Sequence, residues 1–268
     1  MSKNIVKRVI QVLFSFILTG VIMFMSAGTI AWKWAWALIC ANILILAINF
    51  FVLPTEVIEE RGRKKENVKK WDRILTAVSI VPYFGLYIVA GLDYRFYWSP
   101  ELDSGVHATS LLCYFLGSML ATWAMVSNRF FSTMVRLQTD RGHQVATGGP
   151  YRFVRHPGYV GFIVTGMAVP LILGSLYALP VSALSAVILV IRTALEDETL
   201  GGGHGLFTYA LVEGVNGSAR NGAGEVRADG LRDFVKGRVG ELAAKFKHEQ
   251  EPQYFRGRDA DNYVITRP

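Results

Sequence analysis

Four apolar runs of about 20 residues each, followed by a fifth that is half as long again, constrain this chain more than any motif in it. They run from roughly Val9 to Ala31, Trp34 to Leu53, Ile74 to Leu92, Ala108 to Val126 and Val160 to Ile191. About 20 mostly apolar residues span the hydrocarbon core as a helix. In lipid, an isolated segment satisfies its own backbone only as a helix. With 51% hydrophobic residues against 18% charged and a positive mean hydropathy of +0.31, the first two hundred residues exclude an ordinary soluble domain. The predicted fold class is all-α: a multipass transmembrane helical bundle with a small, partly helical soluble C-terminal tail.

The fifth run would be roughly 48 Å long as one helix, well beyond the ~30 Å hydrocarbon thickness. It reads instead as a closing hairpin that turns near Gly174-Ser175, with Pro170 and Pro180 as candidate kinks. Lys and Arg in short loops set orientation. Lys3, Lys7 and Arg8, then Arg61 through Arg73, then Arg129 through Arg155 alternate with loops holding only Lys33 or Arg95 among acids. The N-terminus and these basic loops are therefore expected on the cytoplasmic side.

The basic N-terminus followed by an apolar run mimics a signal peptide, but that run is too long for one and further spans follow, so it reads as an uncleaved first helix. Cys40 and Cys113 both fall within predicted spans; they suggest neither a disulfide framework nor a metal site and are expected to be packing residues. No aromatic-interleaved basic stripe argues for a nucleic-acid partner.

Chemistry concentrates in Gly149 to Gly161, a polar stretch between two apolar runs. Pro157 suits the first turn of a helix, whose free N–H groups attract a carboxylate or phosphate. Arg155 adds a planar cation able to grip a carboxylate in two places. His156 adds a donor and acceptor, Tyr159 a ring with a polar tip, and Gly161 room for close approach to the backbone. The competing reading makes Arg155 a topology anchor and Tyr159 an interfacial aromatic. Glu196, Asp197 and Glu198 follow the last apolar run, where acids oppose the helix dipole. In an antiparallel hairpin they neighbour Arg155 and His156, outlining a pocket of mixed sign for a zwitterionic ligand.

The ordered series Ser127-Asn-Arg-Phe-Phe-Ser132, Arg141-Gly-His143, Thr147-Gly-Gly-Pro-Tyr151, Arg155-His-Pro-Gly-Tyr-Val-Gly161 and Arg192-Thr-Ala-Leu-Glu-Asp-Glu-Thr-Leu200 resembles the isoprenylcysteine carboxyl methyltransferase family of integral-membrane methyltransferases. Glu60-Arg-Gly-Arg-Lys-Lys, Lys70-Trp-Asp72 and Gly91 to Ser99 resemble its short bacterial members, so the likeness covers about residues 50–200. It implies S-adenosyl-L-methionine as methyl donor and a lipophilic acceptor entering from the bilayer. It also implies that His156, Pro157, Tyr159, Gly161, Glu196 and Asp197 help enclose the cofactor. Arg155 is the catalytic candidate, expected to orient the acceptor or the cofactor carboxylate. No metal is implied. A prenylated cysteine carboxylate, another lipid acid and a lipophilic amine all remain open as acceptors.

After Leu200 the family's closing segment, with its Gly-Tyr pair and Arg-Leu-Ile-Pro-Gly-Trp-like end, is replaced by Gly201-Gly-Gly-His-Gly205. The expectation is a weakened cofactor site. A natural fusion and an assembled chimera both account for the junction. The tail predicts a short apolar helix from Leu206 to Val212, a loop from Gly214 to Gly224 and an amphipathic helix from Asp229 to Phe246, with Leu231, Phe234, Val235, Leu242 and Phe246 on one face. His204 to Gly214 and Gln253-Tyr-Phe-Arg-Gly257 resemble the C-terminal end of caspase-like peptidase domains. That family's catalytic His and Cys are absent here, which excludes a peptidase. Asn216 to Glu225 is too poor in acids for a calcium loop, and His204 lacks partner ligands. The domains expected are thus 1–200, methyltransferase-like, and 201–268, an incomplete caspase-like fragment. A catalytically inactive membrane scaffold presenting that tail to a protein partner is the second reading.

Overall fold

The computed structural model describes residues 2–63, 68–134, 146–201, 206–245 and 264–266. The chain divides into two compact units, Met1–Thr193 and Ala194–Pro268.

The first unit is a helical bundle. Helices α1 (Lys3–Ala27), α2 (Lys33–Val52), α4 (Lys70–Phe96) and α5 (Ser104–Ser127) are long and apolar enough to cross a membrane, as is α7 (Leu179–Gly201), which continues past the unit boundary. The shorter α3 (Thr55–Gly62) follows α2, and α6 (Pro157–Leu173) precedes α7. Phe14, Ile17, Phe50, Phe51 and Val81 all point outward, the distribution required when the surrounding solvent is hydrocarbon. The chain is an all-α multipass membrane protein. Its buried core gathers Met23, Trp32, Leu38, Leu86, Ile172 and Leu173 with the small Ala27, Ala35, Ala90 and Ala178, residues that let helices approach closely.

The closing hairpin forms as the run length requires. Gly174, at φ 79°, ends α6 in the left-handed conformation that glycine adopts freely, its N–H bonding back to Leu171 O. Pro180 sits in the first turn of α7 and therefore begins a helix without bending one. The hairpin is pinned at this end by Asp93, whose carboxylate accepts from Ser99 N at 2.7 Å and from the Ser99 and Ser175 hydroxyls. His107, stacked on Trp34, bonds through Nδ1 to Ile172 O at 2.8 Å. The two cysteines depart from expectation: Cys40 and Cys113 are free and exposed on the helix surfaces. A thiol is apolar enough to face lipid, so the pressure that buries it in a water-soluble protein is missing.

The second unit has its own small core. After the end of α7 come α8 (Leu206–Glu213), a π turn over Gly214–Ser218, β1 (Val226–Arg227), α9 (Ala228–Lys245) and β2 (Val264–Thr266), which pairs antiparallel with β1. Ala210, Val226, Leu231, Val235 and Val239 are buried together, with Phe234 packed beside them. Arg238 reaches from α9 to Glu213 at 2.9 Å and to Glu241 at 3.1 Å. Its guanidinium is held above its ordinary pKa, first by the hydrogen bond to Glu213. Glu196 to Glu198 lie inside the last turns of α7, whereas the sequence placed them after it. Arg141, His143, His204, Phe246 and Gln253 to Gly257 lie outside the described residues.

Candidate functional site

Pro157 opens α6 as its fixed φ and missing N–H predict, with His156 as N-cap and Val160 N–H donating the first helical bond to His156 O. The amides before Val160 point out of that helix end and give it partial positive charge. Arg155 is exposed and His156 partly buried, while Pro157 and Gly158 are buried. The His156 and Tyr159 rings lie 5.7 Å apart, tilted by 31°.

Helix α6 is seated on α5 through small residues. A Cβ on Gly161 would come within 2.9 Å of Ala121 N and would also strike Gly117 O, and one on Gly158 would lie 2.7 Å from the Phe131 ring. The space beside Gly161 that the sequence offered to a ligand is thus filled by the backbone of α5.

Arg192 brings the two arms of the hairpin together, as an antiparallel pair requires. Its Nε lies 2.8 Å from Asp72 Oδ1 in α4, its Nη2 donates to Thr133 O at 2.9 Å, and its guanidinium stands 5.8 Å from the Tyr159 ring centroid. Asp72 is fully buried. A pair this deep needs a further bond such as the one Thr133 O accepts from Arg192, because Coulomb attraction alone barely offsets desolvation. Glu196 and Asp197 occupy the next turn of α7 beyond Arg192, in the second unit.

A second group gathers around the same helix ends. Arg61, on α3, donates from Nη1 to Met125 Sδ at 3.3 Å and lies 5.5 Å from the Phe131 ring centroid. Burial pushes its pKa down to about 9, and the neighbouring Arg8 and Arg192 push the same way. It therefore stays charged at neutral pH. Gly62 packs directly on α1, where a Cβ would strike Asn4 O and stand 3.1 Å from Arg8 Cβ. Among the described residues neither Arg8 nor Arg61 meets a carboxylate. In the sequence Arg8 counts as a topology charge and Arg61 as both a topology charge and part of the Glu60-Arg-Gly-Arg-Lys-Lys motif, and no local signal shows what either would meet.

Arg155, His156 and Tyr159 thus share one helix end with Arg192, Asp72 and Arg61. No group of three or more candidate metal ligands occurs among the described residues. The donors are cationic side chains, a helix N-terminus, an imidazole and aromatic faces, which suit an organic ligand bearing a carboxylate and a flat ring.

Residues 110–201, covering most of α5, α6 and α7, match the model of the isoprenylcysteine carboxyl methyltransferase (ICMT) family. The chain is 38% identical over 69 residues to the protein-S-isoprenylcysteine O-methyltransferase of Schizosaccharomyces pombe, covering 25% of this chain and 28% of that one. It is 28% identical over 82 residues to protein-S-isoprenylcysteine O-methyltransferase B of Arabidopsis thaliana, covering 30% and 40%. With the probable protein-S-isoprenylcysteine O-methyltransferase of Oryza sativa subsp. indica it shares 34% over 68 residues, covering 24% and 36%. The chain therefore spans well under half the length of these relatives. No solved structure matches it.

Proposed function

Because residues 110–201 carry an isoprenylcysteine carboxyl methyltransferase family domain, we propose that this protein transfers a methyl group from S-adenosyl-L-methionine to a lipophilic carboxylate at the cytoplasmic face of a membrane. The observation that carries the reading is the coincidence of that domain with one polar helix end, where His156, Tyr159 and Arg192 converge. The basic helix ends face the cytoplasm by the positive-inside rule.

When bound, S-adenosyl-L-methionine supplies an activated methyl on a sulfonium. The chain's own residues do the holding. The first turn of α6, with His156 and the exposed Arg155, binds a carboxylate through backbone dipoles and charge-assisted bonds. Tyr159 offers a ring that stands 5.8 Å from the Arg192 guanidinium, itself paired with Asp72. Pro157 and Gly161 set the angle and depth of α6 against α5. A carboxylate acceptor is already ionised near neutral pH, so no general base is required. Rate enhancement then comes from alignment and exclusion of water.

Equilibrium binding of labelled S-adenosyl-L-methionine to the full chain in nanodiscs tests the proposal. Wild-type binding that falls by about tenfold or more in His156→Ala is expected; absence of wild-type binding would refute the reading.

A further inference from the structure

Helices α1, α2 and α4 line an open-sided cavity of about 700 Å³, within the range of small-molecule sites. One stripe of α1 lines it from Arg8 through Gln11, Val12, Ser15, Phe16 and Thr19, faced by Asn42 and Leu46 of α2 and by Tyr83 and Tyr87 of α4. Arg8 stands at one end. About 16 Å along α1, at 1.5 Å per residue, a polar rung crosses the cavity: Thr19 Oγ1 lies 3.4 Å from Tyr83 OH, and Asn42 Oδ1 accepts from Tyr114 at 2.8 Å. The rung satisfies itself, leaving a mainly apolar slot between it and the cation.

Among the described residues the cationic end of this slot is not balanced by a carboxylate. Arg8 and Arg61 lie on the two sides of the α1–α3 contact and repel each other; Asp72 is held by Arg192, and Glu60 is buried and partnered. Two partly buried guanidinium groups without a carboxylate are costly unless an anion joins them. A head group there would also sit close to the proposed reaction site, because Phe131 touches Arg61 on one side and lies against Gly158 of α6 on the other.

We propose that the α1–α2–α4 cavity is the acceptor site, taking the single apolar chain of a lipophilic monocarboxylate whose head group is held by Arg8 and Arg61. This rests on the methyltransferase reading for the name of its occupant. Charge complementarity favours an acid over an amine acceptor, which two uncompensated guanidinium groups would repel.

The test is equilibrium binding, without cofactor, of an S-prenylated N-acetylcysteine and of its methyl ester to the full chain in phosphatidylcholine nanodiscs. Wild type is expected to prefer the acid by about tenfold or more, a preference that Arg8→Gln and Arg61→Gln each reduce and the double variant abolishes. Gly20 lines the cavity beside the rung and has open space beside its Cα; a side chain on a helix leans toward the N-terminus, so Gly20→Phe directs its ring into the slot and is expected to weaken acid and ester alike. An acid preference that survives the double variant, or binding indifferent to Gly20→Phe, overturns the proposal. Displacement of the acid by phosphatidylglycerol at equal mole fraction also overturns it, identifying a structural phospholipid site. Cofactor affinity measured on the same samples separates this failure from failure of the methyltransferase reading, since the acid preference is read without the donor.

Discussion

Arg192 and Arg61 carry the same guanidinium into the same region and meet opposite circumstances. Arg192 has a buried carboxylate at 2.8 Å and a carbonyl to bond. Arg61 has a thioether and an aromatic face, contacts that stabilise a cation only modestly. The first is therefore a fixture of the fold and the second is a place for a ligand. Replacing Asp72 by Asn separates these roles, because it leaves the Arg192 charge uncompensated. A loss of about 3 kcal/mol of stability is expected, in line with removing one partner of a buried pair. Thermal unfolding in detergent checks this, and an unchanged midpoint would mean that the pair contributes nothing.

At the scale of elements, the decisive contact is between α5 and α6. With 17 residues, α6 is about 26 Å long and falls short of the ~30 Å core, so its position depends on its neighbour more than on the bilayer. Gly117 and Gly161 allow backbone to approach backbone there, the small-residue packing common among membrane helices. Gly161→Ala should cost about 1–3 kcal/mol by overpacking and should shift the N-terminus of α6, lowering S-adenosyl-L-methionine affinity. Gly20→Ala, made into open space, is the control expected to change neither. Equal behaviour of the two variants in unfolding and binding would contradict this account.

For the whole molecule, the division at Thr193 separates a bundle holding Arg155, His156 and Tyr159 from a unit with a separate core of Leu231, Val235 and Val239. Ending the chain after Gly201 removes that core and keeps α1 to α7. If the first unit supplies the main cofactor contacts, donor affinity in nanodiscs should stay within about threefold of the full chain, as for distant, independent sites; a much larger loss would assign cofactor contacts to the removed segment. The sequence by itself determined the helices, because lipid leaves a 20-residue apolar run no alternative, and it determined the hairpin, because 32 apolar residues exceed one crossing. It also marked the Arg155 to Gly161 stretch, since polar groups beside a span are costly without a use. Only the tertiary structure decided which cations are paired and which glycine faces a helix. Arg8, Arg61 and Arg192 look alike as letters beside apolar runs, and their difference lies in what α4, α5 and α6 bring to each of them in space.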